Sequence, residues 1–250
     1  MAQVSIIMPA HNVAKTIKDS IDSVISQTFT DWELLVIDDC SVDETAQIVS
    51  EISKNDSRIK LFQTDKSVGK PFYPRNMGIE NARGRFIAFL DSDDVWLPTK
   101  LEHQLPLFQN ANVAIAFSYY EKFASNQTDM GNRVIKSPKK VDFKSAIYGN
   151  PIGNLTGVYD TQKVGKIFYE DAGHEDYILW LTILQKGFIA KNTNTVEARY
   201  RVAEKSVSSN KGKAASWTWN IYRKTLKFNV IKSVFCYTIY IIKGILKYLK

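Results

Sequence analysis

The chain has 250 residues, 44% of them hydrophobic, which is enough to bury a full core and excludes a disordered chain. Its formal charge of +7 invites a nucleic-acid partner, yet ten of the 33 basic residues fall between Lys205 and the C-terminus, where no acidic residue occurs. The first 204 residues hold 23 basic against 26 acidic side chains, so a mildly acidic body carries a basic tail and no nucleic-acid motif accompanies the charge.

Short continuous apolar runs from Val4 to Met8, Glu33 to Ile37, Ile59 to Phe62, Phe86 to Leu90 and Val113 to Phe117 predict strands covered on both faces. The first begins so early, with no charged n-region or cleavage signal before it, that a cytoplasmic protein is expected. Cys40 and Cys236, too few for a disulfide framework, fit the same reducing compartment. Ile17, Ile21, Val24 and Ile25 recur at helical spacing behind Asn12, read as a cap. Ser41-x-x-Glu44 is a capping-box pattern ahead of Ala46, Val49 and Ile52. Pro74 and Pro98 suit first-turn positions of two further helices, the second carrying Leu101, Leu105 and Phe108. The polar stretch from Lys122 to Lys144 reads as an exposed connection or an edge hairpin, and Asp176 to Gln185 as an apolar helix stopped at Gly187. The rhythm predicts an α/β fold: a mainly parallel central sheet flanked by helices.

Ligands of such sheets sit at the carboxyl ends of the strands, where this sequence places Asp38-Asp39 and Asp91-Ser92-Asp93-Asp94. Three carboxylates crowded after an apolar strand repel one another and need cationic or hydroxyl partners. Mg²⁺ or Mn²⁺ meets that need, held by one or two carboxylates and completing its shell from phosphates and water. The alternative is a solvated loop whose acids cap the next helix, and for Asp38-Asp39 an Asx turn.

These runs, together with Pro9-Ala10-His11-Asn12, Gln27-Thr28, Asp38 to Asp43, Pro74-Arg75-Asn76-Met77-Gly78, Asp91 to Asp94 and Glu175-Asp176, resemble the family 2 glycosyltransferases of GT-A fold, in the family's order, over residues 3–208. The resemblance implies an inverting, metal-dependent transfer from a nucleotide-diphospho-sugar, in particular a UDP-sugar, to a glycan or lipid-linked acceptor in bacterial surface polysaccharide synthesis. It places Pro9, His11 and Asn12 in the base-holding loop; Tyr is commoner in the family at the place of His11, and an imidazole is also planar enough to stack on uracil. Asp38 and Asp39 match the pair reading the uridine, with Asp39 the choice for the base. Arg75 lies near the nucleotide, where a permanent guanidinium suits a diphosphate. Asp91 matches the ribose contact, Asp93 the ligand of Mn²⁺ or Mg²⁺, and Asp94 a residue orienting their loop. Asp176 matches the general base, with Glu175 in support, at a helix start whose dipole favours the ionised form. As ordinary first-turn acids, the same two residues would need no such role. Tyr200 to Ser208 resembles the segment returning toward the diphosphate, with Arg201 or Lys211 in reach of phosphate, or is a linker.

The expected organisation is a catalytic domain over residues 1–210 and an amphipathic basic helical tail over 211–250. Its longest uncharged run, Ser233 to Ile242, has 10 residues, against roughly 20 for a membrane span. An interfacial helix at the cytoplasmic membrane face is favoured, with packing on the catalytic domain or a partner chain as the alternative. Two rival functions remain at this point: a nucleotidyltransferase making nucleotide-sugars, and a non-catalytic membrane-attached binding subunit of the same fold.

Overall fold

The computed structural model describes residues 2–123, 133–202 and 211–248. In chain order these form β1 (Val4–Ala10), α1 (Ile17–Ile25), β2 (Trp32–Asp38), α2 (Thr45–Asn55), β3 (Ile59–Gln63), α3 (Phe72–Asn81), β4 (Phe86–Phe89), β5 (Val95–Trp96) and α4 (Lys100–Gln104). There follow β6 (Val113–Phe123), β7 (Arg133–Ile135), β8 (Lys140–Val141), α5 (Phe143–Ala146), β9 (Val158–Asp160), α6 (Thr161–Val164), α7 (Glu175–Gln185), β10 (Ile189–Arg201), α8 (Lys211–Asn220) and α9 (Val230–Tyr248).

One sheet runs β3-β2-β1-β4-β9-β6-β10-β5, with β7 added to β6 and β8 to β10. The first four strands are mutually parallel; β9 enters antiparallel to both β4 and β6, and β10 runs parallel to β6. The continuous apolar runs are explained by two cores, one per face. Ile6 and Met8 of β1 and Leu34 and Val36 of β2 point to one, whereas Ile7, Leu35 and Ile37 point to the other. Of the polar stretch after Lys122, the described part, β7, pairs antiparallel with the end of β6.

Some local expectations change. Pro9 belongs to β1 rather than to the following loop. Ile7 accepts from the Leu90 N–H, so the position two residues on faces the same side, past the end of β4, where a missing N–H breaks no ladder. Asn12 does not cap α1, which starts at Ile17 after Thr16; at φ 53° its side chain instead accepts from the Val42 N–H. The capping box at Ser41 does not form. Asp43 accepts from the Thr45 N–H (3.0 Å), while Ser41 Oγ accepts from the Asn12 N–H.

The boundary expected at 210 falls outside the described residues, as does the Ser206–Ser208 motif; of Lys211, only the backbone is described, opening α8. The helices beyond it join the body: Ile221, Tyr222, Leu226, Phe228 and Cys236 lie in the core that also holds Tyr177, Ile178 and Leu181 of α7. Tyr222 anchors them, its hydroxyl donating to the Ile147 carbonyl at 2.7 Å. Among the described residues no helix is long and apolar enough to cross a membrane.

Candidate active site

The sheet's order reverses at β1, which lies between β2 and β4, and at that switch point the carboxyl ends of β1 and β4 frame a cleft of about 380 Å³. Pro9 and His11 line it from β1, Asp39 from the end of β2, Arg75 from α3, and Asp91 and Asp93 from the loop after β4. Residues from positions 9 to 93 thus meet at one cleft, though Asn12 and Asp38 are not among those lining it.

Arg75 is the centre of the arrangement. A Cβ on Gly78 would come within 2.5 Å of Ile7 Cγ2, so the glycine lets α3 lie against β1 and brings Arg75, one turn earlier, beneath the cleft. The Arg75 side chain is 7% exposed; its Nη2 donates to Asp91 Oδ1 at 2.6 Å and its Nη1 to Glu175 Oε1 at 2.8 Å. Burial works against its charge, but Asp91 and Glu175 outweigh it and hold the guanidinium above its ordinary range. The guanidinium also lies 5.3 Å from the Tyr169 ring centre. Asn76 fixes that tyrosine's backbone on both sides, accepting from its N–H at 2.7 Å and donating to its carbonyl at 2.9 Å.

The acidic loop is held from behind. Asp94 is buried, with one carboxylate oxygen accepting from the Arg201 N–H at 2.8 Å and the other without a hydrogen-bond partner. Arg201 Nε donates to the Asp93 carbonyl at 2.7 Å, so this arginine braces the loop from the end of β10 and is not among the residues lining the cleft. Burial, and then the neighbouring Asp91, push the Asp93 carboxyl above its ordinary range, and Asp94 further still. Asp93 forms no ion pair among the described residues. A cation at this loop would relieve both effects. No cluster of three or more His, Cys, Asp or Glu side chains is poised for a metal among those residues. The protein's share of a site would thus be Asp93 with Asp91 beside it, a donor set that fits Mg²⁺ or Mn²⁺ sharing its shell with phosphates and water.

The other acidic pair divides its work. Asp39 faces the cleft, its oxygens accepting from Thr64 Oγ1 (2.8 Å) and Ser67 Oγ (2.7 Å), while its carbonyl accepts from His11 Nδ1 (2.7 Å). That bond makes His11 Nε2 the acceptor for Asn12 Nδ2 at 3.0 Å and fixes the ring at the cleft wall. Asp38 is buried away from the cleft and accepts from the Ser41 N–H at 3.3 Å.

Glu175 and Asp176 open α7 behind His174, which sits in the left-handed region at φ 58°. Asn12, Cys40 and His174 are all non-glycine residues at positive φ, and all flank site residues, the usual location of stored backbone strain. Asp176 Oδ2 accepts from Asn150 Nδ2 at 2.9 Å. The helix dipole does not decide its protonation. Burial, and then Glu175, push the carboxyl up to about 6, close to the value a general base needs near neutral pH. Tyr120 lies between the two acidic regions: after burial, Asp94 and Asp176 are what raise its hydroxyl. Sequence reasoning missed Asn150, Tyr120 and Tyr169, since none stands in a motif.

A sheet whose order reverses at β1, with an acidic loop at its cleft and a second acidic pair, Glu175-Asp176, that does not line the cleft but is tied to it through Arg75, has the GT-A architecture. The chain belongs to glycosyl transferase family 2, whose model matches residues 5–164. It is 38% identical over 246 residues to the UDP-Glc:alpha-D-GlcNAc-diphosphoundecaprenol beta-1,3-glucosyltransferase WfgD of Escherichia coli, covering 98% of this chain and 94% of that one. Its fold matches S. aureus TarS residues 1–349 in complex with UDP-GlcNAc (TM-score 0.69, 24% identity, 89% of this chain and 65% of that one). It also matches the mannosyltransferase PcManGT from Pyrobaculum calidifontis in complex with GDP-Man and Mn²⁺ (TM-score 0.70, 17% identity, 91% and 65%). The protein is therefore a glycosyltransferase, and neither the nucleotidyltransferase nor the non-catalytic subunit is retained.

Proposed function

We propose that the enzyme transfers a sugar from a UDP-sugar to a hydroxyl of a lipid-linked glycan, with inversion at the anomeric carbon, in the synthesis of a surface polysaccharide. The observation that carries this reading is the Arg75 bridge, which ties the donor-side acid Asp91 to Glu175 beside the base. Asp176 takes the proton of the acceptor hydroxyl, whose oxygen forms the bond to C1. The bond from C1 to the diphosphate oxygen breaks on the opposite face, and the diphosphate leaves with the electron pair. Asp39 and His11 hold the base, and Asp91 the ribose. Asp93, with Asp91 beside it, would hold a divalent cation, which would supply charge neutralisation for the leaving diphosphate. The choice of UDP and of a lipid-linked acceptor draws on the name of the Escherichia coli relative, a UDP-Glc:alpha-D-GlcNAc-diphosphoundecaprenol glucosyltransferase.

The test is a panel of nucleotide-sugars with a prenyl-diphosphate-linked sugar acceptor, with and without Mn²⁺. The expected product carries the inverted anomeric configuration by NMR, and chelation abolishes its formation. A retained configuration, or full activity without a divalent cation, contradicts the reading.

The tail supports a location on the cytoplasmic membrane face. Ile231 (83% exposed), Val234, Phe235 and Ile242 share one exposed side of α9, with Lys232 and Lys243 beside them. Flotation with phosphatidylglycerol vesicles should capture the protein, and Phe235→Glu should weaken capture without lowering Tm. No flotation of the intact chain would remove this location.

A further inference from the structure

On the far side of Asp176 lies a second cavity, of about 520 Å³, between α9 and the segment from β8 to Pro151. We propose that this groove is the acceptor's lipid-diphosphate site: Lys140 and Lys243 take the diphosphate, and the apolar wall beside them takes the first prenyl units. The inference rests on the reading that the acceptor is lipid-linked, and it identifies where that lipid sits.

Three observations carry it. The first is continuity with the chemistry. Asn150 lines the groove and donates to Asp176 Oδ2 at 2.9 Å, while Arg75 lines the donor cleft and donates to Glu175. The contacts thus run from cleft to groove through adjacent residues 175 and 176. A ligand in the groove presents its sugar to the base from the side opposite the donor.

The second is composition. The wall joins Val141, Tyr148, Pro151, Tyr240 and Ile241 to two lysines, a lining in the size range of small-molecule sites and suited to an amphiphile with an anionic end. Lys243 extends over the Tyr148 ring at 5.3 Å. Neither Lys140 nor Lys243 forms an ion pair among the described residues. Both charges remain available to a phosphate.

The third is position and space. Ile241 lines the groove and is also 41% exposed, so the groove's mouth continues into the exposed apolar side of α9, where a prenyl chain can leave for the bilayer. Gly244 lines the groove from inside the helix, where glycine is disfavoured relative to alanine. A Cβ there would meet nothing within 4 Å, so no close neighbour requires the glycine and its effect is to widen the groove.

The experiment is calorimetric titration of the full chain with farnesyl diphosphate, farnesol and inorganic pyrophosphate, in the presence of UDP and Mn²⁺. Farnesyl diphosphate should bind at least tenfold more tightly than either fragment. The double variant Lys140→Ala/Lys243→Ala should lose tenfold or more of that affinity, and Gly244→Phe, which fills the groove, should lose it as well. UDP affinity should be unchanged in both variants. Equal binding by the wild type and the double variant, or displacement of farnesyl diphosphate by UDP, overturns the proposal. So does a lysine effect confined to phosphatidylglycerol vesicles, which would mark a headgroup contact. Failure of the acceptor reading has a different signature: lysine-dependent binding of farnesyl diphosphate with no sugar transfer to any prenyl-diphosphate glycan.

Discussion

The two walls of the proposed active site, the donor cleft and the proposed base region, are built from different kinds of chain. The donor wall comes from β1, β2 and β4, short parallel strands whose ends deliver Pro9, His11, Asp39, Asp91 and Asp93 within the first 93 residues. The base wall comes from the start of α7, the turn at Asn150 and the helices after residue 210, which pack on one another across long sequence separations. In the first, the backbone itself aims the functional groups, because strand ends converge at a switch point. In the second, side chains do the aiming. Arg75 Nη1 reaches 100 residues along the chain to Glu175, and Trp217 of α8 packs edge-on to His174 at 5.3 Å. The donor wall should therefore tolerate local changes that leave the strands intact, whereas the base wall should respond to changes in packing.

Arg75→Lys tests that division hardest. A lysine cannot serve two carboxylates in the fork geometry of a guanidinium, and removing it leaves partly buried acids poorly neutralised. We expect kcat to fall by about 10²-fold, the lower end of what a misplaced catalytic group costs. Stability should drop by about 2 kcal/mol in chemical denaturation, less than for a fully buried pair because Asp91 is about a third exposed. Unchanged kcat would mean that the two walls are not coupled through this residue.

The pH profile sharpens the same contrast. As the proposed base, Asp176 would have to be unprotonated to accept the hydroxyl proton, and its carboxyl is pushed up to about 6. Activity should therefore be nearly full above neutral pH and fall close to tenfold per unit below about 6, the sign expected of a base. Nucleotide binding, measured in parallel, should not follow that curve.

Gly173→Ala gives the smallest effect and probes packing alone. A Cβ at Gly173 would lie 2.1 Å from the Trp217 ring, so α8 must shift away from the base motif. An overpacking cost of about 1–3 kcal/mol and a few-fold loss of kcat are expected, together with a change in tryptophan fluorescence. UDP affinity should be retained.

How far the sequence reveals the site follows the same line. The strands, the acidic loops and the helix from Glu175 could be read because local patterns dictate them: apolar runs of strand length, carboxylates directly after them, and one strongly apolar helix. Asn150, Tyr120 and Tyr169 could not, since each owes its place to tertiary contacts that no local spacing encodes. The resemblance puts Arg201 or Lys211 in reach of phosphate, with a linker as the alternative, but the place of Arg201 at the end of β10 sets it behind the Asp93-Asp94 loop. The tail's lysines suggested a surface helix, and part of that helix does expose an apolar side. The residues between them, Tyr222, Phe228 and Cys236, complete the core under α7 instead. Hydrophobic spacing alone does not distinguish burial against protein from burial against lipid.

The central claim is that Asp176 is the base of a site whose donor wall stands independently of it. Asp176→Asn, assayed for sugar transfer and titrated with UDP and Mn²⁺ on the same preparation, measures this directly. The account predicts a loss of about 10³-fold in kcat, within the range of general base catalysis, with UDP affinity within twofold of wild type. Near-wild-type turnover would contradict it.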